Sequence, residues 1–159
     1  MPVKIQKISP DAERAVREYG NSLYRLCSVM TGNRDDAEDA LQECFLKYME
    51  KAPDFNDTEH EKAWLIRVAS NICKDMLRHR KHRSFVSLDE IRNLGTSEDN
   101  AQILGMLVSL EEKYRIIIHL HYVEGYKATE IAAMLGLSES AAKKRLQRGR
   151  DYHISPSSV

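Results

Sequence analysis

Apolar residues recur every three or four positions along almost the whole chain, which is the spacing of one face of an α-helix. No stretch alternates apolar and polar residues convincingly, as a half-buried strand does. In the first helical stretch the apolar residues are Val16, Tyr19, Leu23, Leu26 and Met30. This periodicity predicts an all-α protein and argues against sheet-based folds.

Capping residues and helix breakers predict where the first helices begin. Ser9, followed by Pro10, is the expected N-cap of the first helix, and Asn33 is the expected N-cap of the second. Thr58 and Glu61 have the spacing of a capping box for the third helix. Each of these expectations requires a side-chain oxygen that accepts a backbone N–H at the helix start.

A segment without helical period divides the chain. Residues 84–100 contain serine, glycine, threonine and acids, and we predict a linker there. It would join a helical domain over residues 1–83 to a second one over residues 101–159. The expected architecture is therefore two small helical domains on a linker, with a helix-turn-helix in the second.

Simple features exclude several classes of protein. No apolar run approaches the roughly 20 residues of a membrane span, and the N-terminus lacks the apolar core of a signal peptide. Cys27, Cys44 and Cys73 are widely spaced, so we expect core thiols in a reducing cytoplasm. The chain has neither a glycine-rich phosphate loop nor an HExxH motif. We therefore expect a cytoplasmic protein that is not an enzyme, with no cofactor, metal, small-molecule substrate or membrane insertion.

The charges are segregated, although 24 basic and 24 acidic residues give a formal net charge of zero. Residues 35–61 carry ten acids and two bases, whereas residues 62–83 carry seven bases and one acid. The net charge is −5 over residues 84–112, +4 over residues 113–159 and +3 over residues 1–34. Such blocks indicate separate surfaces for separate partners, with solvated helix faces as the alternative. Because acids oppose phosphate attraction, we expect the unbound protein to bind DNA weakly.

Residues 131–138, with the sequence IAAMLGLS, have the pattern of a helix-turn-helix. Ala132 is small where the helices cross, Gly136 permits the positive φ of the turn, and Ser138 caps the second helix. That helix enters the major groove of DNA in such motifs. A hairpin that contacts protein is the alternative, but five bases between 143 and 150 favour DNA. The expected exposed residues are Ser140, Lys143, Lys144, Gln147 and Arg148, and the expected inward residues are Ala142, Leu146 and Gly149.

A second distinctive string lies in the first domain. Residues 64–71 read WLIRVASN, and the basic cluster RHRKHR follows at residues 78–83. A core aromatic is the simpler interpretation of Trp64 taken alone. The polar loop before it and the basic cluster after it favour contact with single-stranded nucleic acid, whose bases stack on aromatic side chains beside a cationic groove.

These motifs together resemble those of a bacterial RNA polymerase sigma factor of the extracytoplasmic-function (ECF) type, in the sigma-70 family. Residues 64–78 resemble the family signature WLxxIAxNxxxDxxR, and residues 36–45 resemble DAEDLxQExF. Residues 124–138 resemble EGxxxxEIAxxLGxS, and residues 143–150 resemble KxRLxRAR. The matches follow the family's order and come from both predicted domains.

The resemblance implies a transcription initiation factor that binds core RNA polymerase, directs it to promoter DNA and helps to melt the minus-ten region. The polymerase-binding residues would be Asp36, Glu38, Asp39, Gln42 and Glu43. The minus-ten residues would be Phe55, Asn56, Asp57, His60, Lys62, Trp64, Arg67, Asn71, Lys74, Arg78, Arg80, Lys81 and Arg83. The minus-thirty-five residues would be Ser138, Ser140, Lys143, Lys144, Arg145, Gln147 and Arg148. The acidic linker would lie near the polymerase active-site and RNA-exit path, and an anti-sigma protein would be the sensing partner.

Four positions depart from the family pattern. Glu111 stands where the family usually has proline, and Lys127 stands where a serine usually caps the first helix of the motif. Ala141 and Ala142 replace a Thr-Val pair, which removes a hydroxyl contact to phosphate. Two alternatives therefore stay open. One is a double-stranded DNA regulator whose first domain serves dimerisation or signalling, and the other is a sigma-like protein that binds without initiating.

Overall fold

The computed structural model describes residues 9–79 and 110–154. Its α-helices are α1 (Ala12–Thr31), α2 (Arg34–Lys51), α3 (Thr58–His79), α4 (Glu112–Ile118), α5 (Ala128–Leu135) and α6 (Glu139–Ile154). A π-helical turn, His119–Val123, continues α4. Every regular element in the described ranges is helical, so the all-α prediction is confirmed. The predicted linker and three of the predicted DNA contacts, Arg80, Lys81 and Arg83, lie outside the described residues.

The first three helices form a bundle around an apolar core. Leu23 of α1, Cys44 of α2 and Leu65 of α3 are all buried near its centre. Each helix supplies apolar side chains at a spacing of three and four, so one side of each faces the other two helices. This bundle positions the long third helix, on which most of the predicted minus-ten residues lie.

The N-caps of the first two helices differ in how well the sequence predicts them. Asp11 caps α1, because its side chain accepts the N–H of Arg14 at 3.2 Å. The prediction of Ser9 as this cap is therefore wrong by two residues. Asn33 caps α2 as predicted, with its Oδ1 accepting the N–H of Asp36 at 2.8 Å.

The start of α3 corrects the predicted capping box. Asp57 fills the capping role, since its Oδ1 accepts the N–H of His60 at 2.8 Å. Glu61 is buried, and its Oε2 accepts a hydrogen bond of 2.6 Å from Nη2 of Arg14. Burial opposes the ionisation of Glu61, but the hydrogen bonds to its carboxylate outweigh that effect and lower its pKa. Glu61 thus joins α1 to α3 and does not pair with Thr58.

The second bundle contains α4, α5 and α6, of which the last two form the helix-turn-helix. Gly136 ends α5 with a φ of 70°, and Ser138 Oγ accepts the N–H of Ala141 at 3.1 Å. Lys127 offers no side-chain cap, but its own N–H donates to the Glu130 carboxylate at 2.9 Å. The departure at Lys127 therefore leaves the predicted motif intact.

The second helix of the motif crosses α4 closely at Gly149. A Cβ built at Gly149 would lie 2.8 Å from Cγ1 and Cδ1 of Ile118. Ala142, Leu146 and Gly149 are all buried, so the predicted inward face of α6 is confirmed. The opposite side of α6 is exposed.

The two bundles also contact each other. The fourth helix packs against α1, and α5 packs against α3. Within residues 9–79 and 110–154, no helix has both the length and the apolar character that a membrane span requires. The contact between α5 and α3 lies beside Trp64 and Arg67 of α3.

The three cysteines lie in the core of the first bundle. Cys27, Cys44 and Cys73 are buried free thiols, as predicted. Burial raises the pKa of Cys44 to about 12, and the hydrogen bond to Cys73 together with burial raises that of Cys27. The thiols of Cys27 and Cys44 are therefore protonated and unreactive at neutral pH.

Candidate nucleic-acid interface

One side of α3 carries a stripe of polar, basic and aromatic side chains. The residues of this stripe, spaced by three or four, are His60, Trp64, Arg67, Asn71, Lys74 and Arg78. That spacing puts them on a single helix face. Four of the six are exposed, while Trp64 and Lys74 are half-buried. The fold thus brings six of the predicted minus-ten residues onto one surface.

Trp64 sits at the junction between the stripe and the core. Its indole ring meets the ring of Tyr48 edge-on, with the centroids 6.0 Å apart and an interplanar angle of 71°. It meets Phe55 at the same centroid distance and an angle of 65°. These contacts hold one side of the indole, and the other side faces the cleft beside Arg67. A fixed aromatic next to a cation can receive a stacked base.

The predicted contact of Phe55 with DNA is corrected by its burial. Phe55 has no exposed surface, and its ring stacks on Tyr48 with the centroids 6.2 Å apart. His60 packs edge-on against it at 5.3 Å. The phenyl ring therefore belongs to the floor that supports Trp64 and His60, and it does not reach solvent.

The loop before α3 and Lys62 lie at the margins of the stripe. Asn56 and Asp57 are exposed, and the N–H of Asn56 donates to Nδ1 of His60 at 3.1 Å. Lys62 points elsewhere, since its Nζ lies 5.2 Å from the ring centroid of Tyr126 in the second bundle. The structure therefore groups Asn56 and Asp57 with the stripe and separates Lys62 from it.

The outer face of α6 carries the predicted minus-thirty-five residues. The exposed residues on it are Ser140, Lys143, Lys144, Gln147 and Arg148. Arg145 is half-buried, and Ser138 is exposed but uses its hydroxyl as the helix cap. The arrangement of cations and one amide on a single helix face suits contact with phosphates and base edges.

The acidic helix α2 presents four of its five predicted polymerase-binding residues. The exposed ones are Glu38, Asp39, Gln42 and Glu43. Asp36 is only 2% exposed, and its carboxylate accepts a 2.7 Å hydrogen bond from Nδ2 of Asn33. The proposed docking role of Asp36 is therefore corrected, because this side chain supports the start of α2.

Next to these acids lies an apolar groove that the sequence pattern did not predict. We define the α1–α2 groove as Val16, Leu41, Phe45, Leu46 and Met49, which enclose a shallow volume of about 450 Å³. Leu46 is 52% exposed and Met49 is 61% exposed, which is unusual for large apolar side chains. The sequence does contain an indication of this groove, because α2 has more apolar residues than one packed helix face requires.

Comparison with known protein families identifies both bundles. Residues 15–83 match Sigma-70 region 2, and residues 100–151 match Sigma-70, region 4. The ECF RNA polymerase sigma factor SigE of Mycolicibacterium smegmatis is 29% identical over 157 residues, which cover 91% of this chain and 61% of that relative. The ECF RNA polymerase sigma factor SigL of Mycobacterium tuberculosis is 30% identical over 141 residues, covering 81% of this chain and 78% of that relative.

A solved structure has the same fold. The sigma factor RpoE from Bartonella quintana, in complex with the anti-sigma factor NepR, matches with a TM-score of 0.71. The match covers 90% of this chain and 94% of that chain, at 19% sequence identity. At this identity the likeness concerns the arrangement of helices alone.

Proposed function

This chain belongs to the sigma-70 family, as an RNA polymerase sigma factor of the ECF type, and we propose that it binds core RNA polymerase, directs it to specific promoters and helps to melt the minus-ten region. The observation that carries the proposal is the pairing of two surfaces in one chain. These surfaces are the aromatic and basic stripe on α3 and the basic outer face of α6.

Polymerase docking is assigned to α2. Its exposed acids attract a basic partner, and the α1–α2 groove beside them offers apolar area for tight packing. Interfaces gain most of their affinity from a few buried apolar or aromatic anchors, while rim charges mainly speed association. We therefore assign Leu46 and Met49 to the anchor role and Glu38, Asp39, Gln42 and Glu43 to the rim.

Promoter melting is assigned to the stripe on α3. An extruded base would stack beside Trp64, and Arg67 and Arg78 would neutralise phosphates of the single strand. Asn71 offers an amide that hydrogen-bonds with base edges. The basic residues Arg80, Lys81 and Arg83 would continue this path along the backbone of the strand.

Recognition of the minus-thirty-five element is assigned to the outer face of α6. Lys143 and Lys144 would position the helix by contacting phosphates, and Gln147 and Arg148 would contact base edges in the major groove. Substitutions of the two lysines would then weaken binding to all sequences alike, whereas substitutions of Gln147 or Arg148 would change the preferred sequence.

The domain limits and partners complete the proposal. Domain limits of 1–83 and 101–159 with an acidic linker at 84–100 fit the two matched regions, and the linker would lie along the path of nucleic acid in the polymerase. The similar protein RpoE binds an anti-sigma factor, and we infer such a partner here. A regulator that never binds polymerase is not favoured, because it has no use for sigma-70 region 2.

Reconstituted transcription tests the function directly. Core polymerase plus this protein should start transcripts at specific upstream fragments of the source genome and should co-elute with the protein on a sizing column. The assignment fails if neither occurs. At an active promoter, Trp64→Ala should reduce the permanganate reactivity of minus-ten thymines, while Tyr122→Ala, an exposed aromatic outside both surfaces, should not. Unchanged reactivity would remove Trp64 from the melting site.

A further inference from the structure

We propose that the unbound protein rests in a closed form, in which the second bundle stands over the Trp64 end of the stripe on α3 and a buried polar cluster around Glu124 latches the two bundles together. The role of the stripe in this inference rests on the proposed function, whereas the latch itself is a property of the unbound chain.

The covering element is α5. Across a cleft of about 440 Å³, Ala133 and Met134 of α5 face Trp64 and Arg67 of α3. At the end of α5, a Cβ at Gly136 would lie only 3.6 Å from Nη2 of Arg67. A single strand laid along α3 needs this space for its bases and for its backbone. The second bundle must therefore move before the stripe can be used over its full length.

The centre of the latch is the carboxylate of Glu124, which follows the π-helical turn and reaches α1. Its Oε2 accepts a hydrogen bond from Ser22 Oγ at 3.1 Å, and its Oε1 accepts one from Arg25 Nη2 at 3.4 Å. Nε2 of the buried His119 lies 3.4 Å from the same Oε1. The carboxylate thus has partners in both bundles.

The buried position of this cluster makes it effective as a latch. The side chain of Glu124 is 7% exposed. Burial opposes its ionisation, but His119 and Arg25 outweigh that effect and lower the pKa of Glu124 to about 2. When one partner of a buried ion pair is removed, the other charge is left uncompensated, which strongly destabilises the arrangement that buries it.

Two further contacts fix the same arrangement. Arg115 of α4 is 2% exposed, and its Nη1 donates to the backbone oxygen of Val29 at 3.0 Å. Val29 lies in the last turn of α1, where the helix dipole favours a cation. The contact of Lys62 with the ring of Tyr126 joins α3 to the second bundle. The contacts are spread over two helices of the first bundle, so they define one orientation.

The closed form does not hide both candidate DNA surfaces equally. The outer face of α6, with Lys144, Gln147 and Arg148, is exposed in it. Closure would therefore hinder the binding of a single strand at the Trp64 end of the stripe, while the outer face of α6 stays accessible to a duplex. Release of the latch, and not the formation of a new site, would then activate the stripe.

Binding of a single strand to the full-length protein, without polymerase, tests the latch. Loss of a positive charge alone and opening of the latch change the affinity in opposite directions. The probe is fluorescein-labelled oligo(dT) of about 20 nucleotides, which spans the stripe, followed by fluorescence anisotropy at one low salt concentration. Arg25→Gln removes a positive charge, which by electrostatics alone weakens DNA binding. Opening the latch raises the binding-competent fraction, so we expect affinity to increase by on the order of tenfold.

Matched variants separate the latch from overall charge. Arg17→Gln removes an exposed cation from the same helix and should weaken binding slightly. Glu124→Gln should tighten binding by far more than Glu18→Gln, which removes an exposed acid from α1. If Arg25→Gln binds no more tightly than Arg17→Gln, and both remain helical by circular dichroism, the latch is overturned.

A cross-link keeps the test decisive if the latch variants lose their fold. Ala63→Cys combined with Ala133→Cys places thiols on both walls of the cleft, and the native cysteines are buried. A short bis-maleimide should join them within one molecule, and the joined protein should bind oligo(dT) more weakly than the same variant capped with N-ethylmaleimide. Failure to form the intramolecular product would overturn the closed form.

Tighter oligo(dT) binding by Arg25→Gln without promoter-directed transcription would support the latch and remove the sigma assignment.

Discussion

Tyr48 donates a hydrogen bond of 2.6 Å from its hydroxyl to Oε2 of Glu61, and both side chains are buried. The same hydroxyl accepts the backbone N–H of Asp11 at 3.0 Å. One oxygen atom of α2 therefore connects the start of α1 to the start of α3. The Tyr48 ring also supports Trp64, so this contact links the stability of the first bundle to the aromatic end of the stripe.

Tyr48→Phe should lower the free energy of unfolding by about 1–3 kcal/mol, because it leaves the carboxylate of Glu61 and the N–H of Asp11 short of a partner. The phenyl ring keeps its packing, so the loss reports the hydroxyl alone. Urea denaturation measures it. Tyr122→Phe is the control, since that side chain is 42% exposed and its hydroxyl has only a long contact with Arg150. Equal losses in the two variants would contradict the argument.

Two glycines within helices should respond to alanine with opposite signs. Gly20→Ala should stabilise the protein by about 0.5–1 kcal/mol, because alanine favours helix and the new Cβ would meet only Val16, at 3.9 Å. Gly149→Ala should destabilise it by about 1 kcal/mol or more, since overpacking against Ile118 exceeds the propensity gain. Thermal unfolding of both variants checks this. A stabilised Gly149→Ala variant would contradict the prediction and would show that the Ile118 side chain can move away from the new methyl group.

The contribution of Glu124 to stability should depend on pH. Its folded pKa of about 2 lies below the ordinary value of 4.5, so its stabilising effect is complete above pH 4.5 and is lost as pH falls towards 2. Glu124→Gln should therefore have a free energy of unfolding that is lower than that of the parent protein by roughly 3 kcal/mol at pH 6. The difference should be much smaller near pH 3. Denaturant titrations at the two pH values measure the difference. A gap that stays constant would contradict the ionised pairing.

The α1–α2 groove should contribute to the affinity for core polymerase and not to the free energy of unfolding. Leu46→Ser with Met49→Ser should weaken binding to core polymerase by at least about tenfold, because apolar anchors dominate interface affinity. The unfolding free energy should change by no more than about 0.5 kcal/mol per substitution, since both side chains are exposed. Titration of labelled core polymerase measures the affinity. The control is Tyr122→Ser, and an equal affinity of both variants would remove the groove from the docking surface.

The helix-turn-helix could be predicted residue by residue because its determinants are local. Gly136 supplies the turn, Ser138 caps the next helix, and the inward residues of α6 follow helical spacing. The cap of α3 could not be predicted in this way, because its determinant is not local. Asp57 and Thr58 are adjacent and both suit the role, and the burial of Glu61 against Arg14 decides between them. Nothing in the local sequence reports that contact.

The remaining differences arise from tertiary contacts between distant residues. Phe55 lies in a polar loop, and only its packing between Tyr48 and Trp64 shows that it is buried. Glu124 and Arg25 are separated by 99 positions, and neither has an unusual neighbourhood in the sequence. Sequence patterns describe one helix face at a time, whereas these contacts depend on how the faces assemble.

Trp64 gives the closed arrangement an optical consequence, because it is the single tryptophan of the chain. Its indole borders the cleft between α3 and α5, so intrinsic emission at excitation wavelengths selective for tryptophan comes from this one place. Movement of the second bundle, or arrival of a base, changes the polarity around the same ring. The molecule therefore reports its own state by its natural fluorescence, without any attached label.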